Sequence, residues 1–477
     1  MNSPLWTKDE IAAATGARIG SGFAQATGAS IDTRTLEPGD LYFAIKGDVH
    51  DGHDFVQAAL EKGASAAVVS EEKAPSFAGS DRLIVVPDVL DAMRGMGIAA
   101  RRRTDAKIVA ITGSVGKTGT KEAMRLALSR QGATHASVAS YNNHWGVPLT
   151  LARMPRETEF GVFEIGMNHA YEILPLTGMV RPHVAVITTI EPVHIEFFPS
   201  LWGIADAKGE IFSGLEPGGT AVISRDSAYF ERMRAHAYGS AAGRVVTFGE
   251  HEAADIRAHR IIVKPDHSVV DATIFGQPLT YRIGTAGRHI ALNSLSVIAA
   301  SHALGADLAL VALSFAELKP PVGRGERTML TVGDGEALLI DESYNANPAS
   351  MRAALANLGA VELARGARRI AVLGDMKELG ETGPRLHAEL AEAIEANRID
   401  LVFAAGPLMQ NLVDVLPKAK VAAHAQTSAE LVEAVRAAIR PGDAVTVKGS
   451  LSMKMALIVK ALKDHYGASP AAHALKG

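Results

Sequence analysis

Cysteine is absent from this chain of 477 residues. Disulfides, iron–sulfur clusters, thiolate zinc sites and a cysteine nucleophile are therefore excluded, and the composition fits a reducing compartment. A basic excess is also missing, because the formal net charge is −4. We expect no nucleic-acid partner, since holding a phosphate backbone requires clustered cations. The dense basic cluster Arg101-Arg102-Arg103 is interpreted as the solvated end of a helix before a domain junction.

A long uninterrupted apolar run is missing as well. The longest apolar stretch, residues 294–316, is interrupted by a histidine, a glycine and an aspartate. This composition predicts two packed helices and no membrane span. The N-terminus carries no apolar signal segment, and residues 7–10 read TKDE, the pattern of a capping box that opens a helix. We therefore predict a cytoplasmic protein, with a monomer as the simplest state.

The most informative motif of the chain lies at residues 108–120, which read IVAITGSVGKTGT. Strand, glycine-rich turn and helix follow one another, so that N–H groups of the turn would hold phosphates, Lys117 would neutralise their charge and Thr118 would reach Mg²⁺. The motif departs from the general pattern, because Gly113 and Gly116 are closer together than the pattern requires. An ordinary glycine-rich turn is the alternative. Gly-Lys-Thr directly after a buried strand favours a nucleoside triphosphate.

Short β-branched runs alternate with Ala- and Leu-rich helical patterns along almost the whole chain. This alternation predicts α/β domains with mostly parallel sheets, and the length predicts about three of them. We place the boundaries at residues 1–105, 106–322 and 323–477, with a stiff proline-containing linker before the third domain.

Polar residues follow the predicted strands of the central domain, where ligands of open α/β sheets bind. Glu164 ends one predicted strand, and His194 follows the next. With Thr118 they form a reasonable Mg²⁺ site, because oxygen ligands suit this ion. For His194 a helix cap or a core histidine is an equal alternative, and for Glu164 the alternative is a surface ion pair. Lys208, judged by its local sequence alone, is an ordinary solvated charge.

Polar clusters also follow strands in the other two domains. The third domain has three of them, at residues 341–348, 374–380 and 448–450. Three clusters at one sheet edge favour a ligand site, although each one singly is also a typical turn. In the first domain, Arg34 and the Lys46-Gly47 pair offer a guanidinium and glycine backbone, which suit a diphosphate but form a weak signal alone.

Together these motifs resemble the Mur ligase family, over residues 32–462. The resemblance rests on the short TGSVGKT loop and on YNNHWGVPLTL, EIGMNHAYEI, DESYNANPASM and GDMKELG. It implies a small α/β UDP-sugar-binding domain, a central P-loop ATPase-like domain with a mostly parallel sheet, and a C-terminal Rossmann-like domain. It further implies an ATP- and Mg²⁺-dependent ligase that joins D-alanyl-D-alanine to UDP-N-acetylmuramoyl-tripeptide through an acyl phosphate.

The resemblance also implies roles for individual residues. The catalytic residues would be Lys117, Glu164, His194 and Lys208, of which Lys208 matches the family lysine that is carbamylated by CO₂. The metal ligands would be Thr118, Glu164, His194 and Lys208. The ATP-binding residues would be Thr112, Gly113, Ser114, Val115, Gly116, Lys117, Thr118, Gly119, Asn293, Arg324, Asp341 and Asn347. The residues near the UDP-sugar substrate would be Thr33, Arg34, Lys46, Gly47, Asn142 and Asn143.

The chain departs from the family pattern at four positions. Tyr171 stands where glycine is expected, and Val115 stands where the loop often has asparagine or serine. Leu451 and Ala456 replace an arginine and a glutamate after the Lys-Gly-Ser cluster.

Two other functions compete with this interpretation. A folylpolyglutamate synthase-like ligase would share the last two domains, but it would be expected to start almost directly at its P-loop. A nucleotide-dependent switch ATPase would use the same loop to drive motion or partner exchange.

Overall fold

The computed structural model of the chain describes residues 4–470 except 48, 139, 194, 265 and 321. Three α/β units follow one another, each with its own main sheet. The α/β fold class predicted from the alternating pattern is confirmed. Among the described residues, no helix is long and apolar enough to cross a bilayer.

The N-terminal unit contains a two-stranded antiparallel pair and a five-stranded sheet. Its elements are β1 Trp6–Thr7, α1 Lys8–Thr15, β2 Arg18–Ile19, β3 Gln25–Ala26, β4 Gly28–Ser30, β5 Asp40–Phe43, α2 Val56–Glu61, β6 Ala66–Ser70, β7 Leu83–Val86 and α3 Val89–Arg102. The five-stranded sheet has the order β2-β7-β6-β5-β4 and is parallel except at β2. The predicted capping box is present, because the Thr7 hydroxyl accepts from the Glu10 amide and Glu10 accepts from the Thr7 amide.

The central unit is a nine-stranded sheet with helices on both faces. Its strands are β8 Lys107–Thr112, β9 Thr134–Ala136, β10 Phe160–Glu164, β11 Val184–Ile187, β12 Gly219–Ser224, β13 Ala242–Gly249, β14 Ile256–Val263, β15 Ser268–Ile274 and β16 Gln277–Ile283. Its helices are α4 Lys117–Ser129, α5 Gly146–Ala152, α6 Ile173–Val180, α7 Leu201–Gly209, α8 Phe230–Tyr238, α9 Arg288–Ala303 and α10 Leu308–Ser314. The predicted helix pair within residues 294–316 is thus confirmed.

The strand order of the central sheet positions the site. It is β16-β15-β14-β13-β12-β11-β8-β10-β9, parallel from β9 to β14 and antiparallel at β15 and β16. Strands β10 and β11 lie on opposite sides of β8, so the chain reverses its direction of sheet growth there. Ligands of open α/β sheets bind beyond the carboxyl ends of strands at such a point.

The C-terminal unit is a seven-stranded sheet. Its elements are β17 Glu326–Val332, β18 Gly335–Glu342, α11 Pro348–Gly359, β19 Arg369–Gly374, α12 Gly383–Ala388, α13 Leu390–Ala396, β20 Leu401–Ala405, α14 Gln410–Val415, β21 Val421–Ala425, α15 Ser428–Ala438, β22 Ala444–Lys448, α16 Ala456–Tyr466 and β23 Ala468–Pro470. The order is β21-β20-β19-β22-β18-β17-β23, and β17 is antiparallel to both of its neighbours, β18 and β23. Because β18, β22 and β19 are adjacent, the three predicted polar clusters share one sheet edge.

The arginine cluster at the end of α3 corrects one sequence interpretation. Arg101 is only 5% exposed, and its guanidinium donates to the carbonyls of Val180 and Arg181 at 2.8 and 2.9 Å. Arg103 lies over the ring of Trp6 and donates both to the Leu5 carbonyl and to the Met154 carbonyl of the central unit. These two arginines join the first two units, so the prediction of a fully solvated helix end was wrong. Only Arg102 of the three is exposed.

Candidate active site

The P-loop connects β8 to α4 in the centre of the nine-stranded sheet. Gly113 and Gly116 both have left-handed backbone, with φ of 147° and 88°. A Cβ atom on Gly113 would lie 1.9 Å from the Thr188 hydroxyl, and one on Gly116 would lie 2.3 Å from the side-chain nitrogen of Asn293. Glycine is therefore required at both positions by conformation and by space. The same contacts bring the predicted residue Asn293, from α9, to the loop.

Lys117 begins α4 and folds back over the loop. Its ammonium group donates to the Gly113 carbonyl at 2.7 Å and to the Ser114 carbonyl at 3.4 Å. Burial lowers the pKa of Lys117, whereas the nearby Glu164 raises it and Arg324 lowers it further. The helix N-terminus and this cation form a site for an anion such as phosphate.

Glu164 ends β10 beside the loop and is 1% exposed. One carboxylate oxygen accepts from the Asn142 side chain at 2.7 Å, while the other is buried and has no hydrogen-bond partner. An orphaned buried carboxylate oxygen is costly, and a bound cation would satisfy it. The surface ion pair considered as an alternative for Glu164 is excluded by this burial.

The structure brings part of the predicted metal set together. Thr118 lies on the first turn of α4 and contacts the Ser140 hydroxyl at 3.4 Å. The residues described contain no group of three histidine, cysteine, aspartate or glutamate side chains that would hold a metal alone. This arrangement still fits Mg²⁺, which takes one or two carboxylates together with substrate phosphates and waters. His194, the fourth predicted ligand, lies outside the described residues.

Lys208 is not the solvated charge that its local sequence indicates. It lies in the last turn of α7 and is 1% exposed. Burial lowers its pKa well below the ordinary value, and the positive charge of Lys117 lowers it further. Such surroundings favour the neutral, nucleophilic form of the amine over its ammonium form.

A cavity of about 990 Å³ separates the P-loop from the C-terminal unit. The predicted residues that line it are Ser114, Val115, Gly116, Lys117, Thr118, Gly119, Asn142, Glu164, Asn293, Arg324 and Asn347. The predicted residues that do not line it are Thr33, Arg34, Lys46, Gly47, Thr112, Gly113, Asn143, Lys208 and Asp341. All three strand-end clusters of the C-terminal unit contribute lining residues, which supports a shared ligand site.

The C-terminal wall of the cavity carries three further cations, Arg324, Lys377 and Lys448. Arg324 lies 4.2 Å from the ring centroid of Tyr344. Lys448, at the end of β22, is 3% exposed and donates to the Asn345 carbonyl at 2.8 Å. Burial lowers the pKa of Lys448, although the Glu342 carboxylate raises it. With Lys117 opposite and Lys319 of the linker, five cationic side chains border the cavity, and such charges suit a polyphosphate ligand.

Two predicted ATP-binding residues have structural tasks in this wall. The Asp341 carboxylate accepts from the amide and hydroxyl of Ser343 at 3.0 and 2.6 Å, so it shapes its own turn. Asn347 caps α11, where its side chain accepts from the Ser350 amide at 2.9 Å. Asn347 lines the cavity and Asp341 does not, and a nucleotide contact for either stays a prediction.

The predicted substrate residues lie in the first unit and just before α5 in the central unit. Arg34 is exposed and paired with Asp32 at 2.6 Å. A Cβ atom on Gly47 would lie 3.1 Å from the ring of Trp145, so the 46–47 loop reaches the central unit. The Asn143 side chain accepts from the Trp145 and Gly146 amides, which caps α5. Through Trp145 the first unit therefore contacts the segment that also carries Asn142, whose side chain donates to Glu164.

Sequence reasoning assigned no role to two residues that the structure places at the site. Glu191 follows β11, lines the cavity and exchanges hydrogen bonds with Ser114 through its backbone. Burial raises the pKa of Glu191, and the positive charge of Arg352 lowers it. Tyr344 supports Arg324. Both residues follow strand ends, and this position is the signal that would have found them.

A phosphate-binding loop, a buried carboxylate with a free oxygen and a cationic facing domain define a nucleotide-dependent α/β enzyme. Three family models match the chain: the Mur ligase family catalytic domain at residues 25–102, the Mur ligase middle domain at 111–301 and the Mur ligase glutamate ligase domain at 324–451. The chain belongs to the Mur ligase family, whose members are ATP-dependent ligases that form carbon–nitrogen bonds.

Relatives of one activity cover nearly the whole chain. The UDP-N-acetylmuramoyl-tripeptide–D-alanyl-D-alanine ligase of Rickettsia prowazekii is 30% identical over 97% of this chain and 100% of its own. That of Escherichia coli is 34% identical over 91% of this chain and 93% of its own. A crystal structure of MurF from Acinetobacter baumannii has a TM-score of 0.83 at 28% identity and covers 97% of this chain and 99% of the other.

Proposed function

We propose that this protein ligates D-alanyl-D-alanine to UDP-N-acetylmuramoyl-tripeptide, consuming ATP and giving the UDP-linked pentapeptide precursor of peptidoglycan. The observation that carries the proposal is the cavity of about 990 Å³, bordered by the P-loop, the buried Glu164 and the three strand-end clusters of the C-terminal unit. The curated relatives that cover nearly the whole chain have this activity in their names.

The first step activates the tripeptide carboxylate. A carboxylate oxygen attacks the γ-phosphorus of ATP, the bond from that phosphorus to the β-bridging oxygen breaks, and ADP leaves. Charge accumulates on the transferring group, and Lys117 and Arg324 border the place where it would lie. Catalysis of this kind consists mainly of positioning and charge neutralisation.

The second step forms the peptide bond. The amine of D-alanyl-D-alanine attacks the acyl carbon, a tetrahedral intermediate forms, the bond to the phosphate oxygen breaks and the amine loses its proton. No protein nucleophile takes part. The three strand-end clusters of the C-terminal unit face the P-loop across the cavity, so an acceptor held there would meet the acyl phosphate. Movement of this unit about the linker that precedes it, of which residue 321 lies outside the described residues, would exclude water from the intermediate.

The residues present fit Mg²⁺. Glu164, with its orphaned oxygen, and the Thr118 hydroxyl would hold the ion, and His194 is proposed with them from the family pattern. When bound, Mg²⁺ neutralises the charge of the transferring phosphate. We further propose that Lys208 is carbamylated, because CO₂ reacts with a neutral amine and burial favours that form by lowering the pKa of Lys208. The product would carry carboxylate-like oxygens in place of a positive charge.

Placement of the UDP-sugar on the first unit is proposed from the 46–47 loop. This loop reaches Trp145, next to the Asn142 side chain that orients Glu164. The tripeptide would then extend from the loop toward the P-loop. The folylpolyglutamate synthase-like alternative is not favoured, because a folded N-terminal unit with its own core precedes the P-loop. A monomeric state and a cytoplasmic location stay predictions.

Phosphate release from the purified protein tests the function. We expect release with Mg-ATP and UDP-N-acetylmuramoyl-tripeptide to depend on added D-alanyl-D-alanine, with a product heavier by one dipeptide. Lys117→Ala should abolish it, whereas Lys107→Ala should not, because Lys107 only donates to the Leu304 carbonyl. Phosphate release that does not depend on the dipeptide would refute the substrate assignment. Stimulation of ATP hydrolysis by a protein partner would favour a switch ATPase.

Carbamylation is tested separately with isotopically labelled bicarbonate. We expect a carbamate signal in the NMR spectrum of the whole protein that is missing from the Lys208→Met variant. A matched Lys448→Met variant should keep the signal, because the Lys448 ammonium is bound by carbonyl oxygens. An unchanged signal in Lys208→Met would assign the carbamate to another lysine.

A further inference from the structure

One chain segment runs from the P-loop to the C-terminal unit along the edge of the cavity. We call it the coupling strap and define it as residues 188–193 and 195–197. It begins after β11, and its residues Thr188, Thr189, Ile190, Glu191 and Val193 line the cavity. It ends in a short 3₁₀ helix, Ile195–Phe197, that leads toward α7.

Hydrogen bonds fasten the first end of the coupling strap to the P-loop and to Thr112, the residue that precedes the loop. The Ser114 amide donates to the Thr189 carbonyl at 2.8 Å. The Ser114 hydroxyl donates to the Glu191 carbonyl and accepts from the Glu191 amide, both at 2.9 Å. The Thr188 hydroxyl lies 2.6 Å from the Val115 carbonyl, and the Thr188 amide donates to the Thr112 carbonyl at 2.9 Å. A shift of the strap would therefore move the loop that binds phosphate.

The second end of the coupling strap lies against the C-terminal unit. Ile195 packs on the apolar cores of both the central and the C-terminal units. Its helix contacts the short helix Gly380–Thr382. A Cβ atom on Gly380 would lie 3.1 Å from the Cβ atom of Glu196, so the two backbones approach closely. Gly380 directly follows Lys377, Glu378 and Leu379, which line the cavity.

We propose that the coupling strap transmits the position of the C-terminal unit to the P-loop, which makes Ile195 and Gly380 positioning residues for nucleotide binding. Neither residue lines the cavity. Docking of the C-terminal unit on Ile195 would fix the position of the coupling strap. The hydrogen bonds of Ser114 and Thr188 would then keep the P-loop in its phosphate-binding conformation. The proposal rests on the proposed ATP-dependent function, but its test needs only nucleotide binding.

The chain offers a matched control for Gly380. Gly380 and Gly333 both have left-handed backbone, with φ of 52° and 57°, and both are exposed residues of the C-terminal unit. An alanine meets the same backbone strain at both positions. At Gly333 nothing lies within 4 Å of the added Cβ atom, whereas at Gly380 it presses on Glu196. The difference between the two variants therefore isolates the interdomain contact.

The experiment is calorimetric titration of the full-length protein with Mg²⁺ and the non-hydrolysable analogue AMP-PNP. We expect Gly380→Ala and Ile195→Ala each to weaken the affinity by about threefold to tenfold, which is within the range of coupling changes seen for residues away from a ligand. Gly333→Ala should bind like the wild type. Thermal melting checks that each variant is folded, and Ile195→Ala provides the test if Gly380→Ala does not fold.

A double-mutant cycle separates coupling from a local effect of residue 380. Ser114→Ala removes the hydroxyl that fastens the coupling strap to the P-loop. If the strap carries the coupling, Ser114→Ala with Gly380→Ala should bind no more weakly than Ser114→Ala alone. Distant sites without coupling would instead multiply their effects. Multiplied effects, or equal affinities of Gly380→Ala and Gly333→Ala, would overturn the proposal. Tight analogue binding without ligation by the wild type would refute only the proposed substrates.

Discussion

Lys208 and Lys448 are both almost completely buried, yet their surroundings differ. Lys448 in the C-terminal unit has the Glu342 carboxylate at 3.5 Å and donates to the Asn345 carbonyl. For Lys208 in the central unit, the charge that shifts its pKa is another cation, Lys117. Burial lowers the pKa of both lysines, but an anion opposes the shift only at Lys448. An anion favours the charged form of a buried lysine, whereas a neighbouring cation favours the neutral form that can react as a nucleophile.

The largest expected effect is on the rate of phosphate release, and it tests whether Lys208 and Lys448 have different tasks. Lys208→Arg keeps a positive charge that cannot be carbamylated, so we expect phosphate release to fall by about 10³-fold, as for loss of a group that stabilises transferring charge. Lys448→Arg, measured in the same assay, keeps the fixed charge and should cost much less. Equal losses in the two variants would show that the two lysines have the same task.

A second prediction concerns the anion beside Lys448. Glu342→Gln leaves a buried ammonium without its carboxylate, and we expect the free energy of unfolding to fall by about 3 kcal/mol. The matched control is Glu326→Gln in the half-exposed pair with Lys463 at 3.1 Å, where the loss should be below about 1 kcal/mol. Urea unfolding measures both, and similar losses would mean that the buried pair gives no special stability.

A third prediction follows from the lowered pKa values. Between the folded and the unfolded pKa of a lysine, the unfolded chain binds a proton that the native protein does not. Stability therefore rises as the pH rises toward 10.5, the ordinary lysine value. In the absence of nucleotide and bicarbonate, Lys208→Met should remove more of this rise than Lys448→Met. The measurement is urea unfolding at a series of alkaline pH values. If the free energy of unfolding of Lys208→Met rises with pH as steeply as that of the wild type, the prediction is wrong.

The smallest effect concerns the loop that supports the Lys208 helix. Tyr171 has φ of 68°, and its amide donates to the Glu210 carboxylate at 2.6 Å, just beyond α7. Tyr171→Gly relieves about 1 kcal/mol of left-handed strain and adds about 0.5 kcal/mol of unfolded-chain entropy, so we expect a gain of about 0.5 kcal/mol.

A helical tyrosine provides the control for this substitution. Tyr238 is exposed and ends α8, so Tyr238→Gly should lose up to about 1 kcal/mol. Thermal unfolding of the two variants shows whether each substitution raises or lowers the stability. Destabilisation by Tyr171→Gly would show that the tyrosine side chain, and not the backbone conformation, matters at this position.

Several features of the site were predictable because they are local in the chain. The P-loop was found from a contiguous motif, and the pattern of alternating strands and helices indicated that its ligand lies at the carboxyl edge of a sheet. The three clusters of the C-terminal unit were predicted to share an edge, and adjacent strands β18, β22 and β19 confirm it. Glycine at 171 was expected from the family pattern, and the left-handed backbone of Tyr171 explains that expectation.

Other features were missed because they depend on distant partners. The local sequence around Arg101 describes a basic helix end, but the carbonyls that bind its guanidinium come from residues 180–181. The family pattern assigns Asp341 to the nucleotide, and that contact stays a prediction, but only the structure shows that its carboxylate accepts from Ser343. A side chain that satisfies its own turn and one that faces a ligand have the same sequence pattern.

The sequence by itself determined the α/β class, the phosphate-binding loop and the membership of a ligase family, because periodicity and contiguous motifs are properties of neighbouring residues. The tertiary structure decided which charged groups are buried away from solvent. Glu164 with an orphaned oxygen, Lys208 beside Lys117 and the coupling strap between two units all result from contacts across the fold. Burial and charge proximity set pKa values and ligand affinity, and both depend on residues that are far apart in the chain.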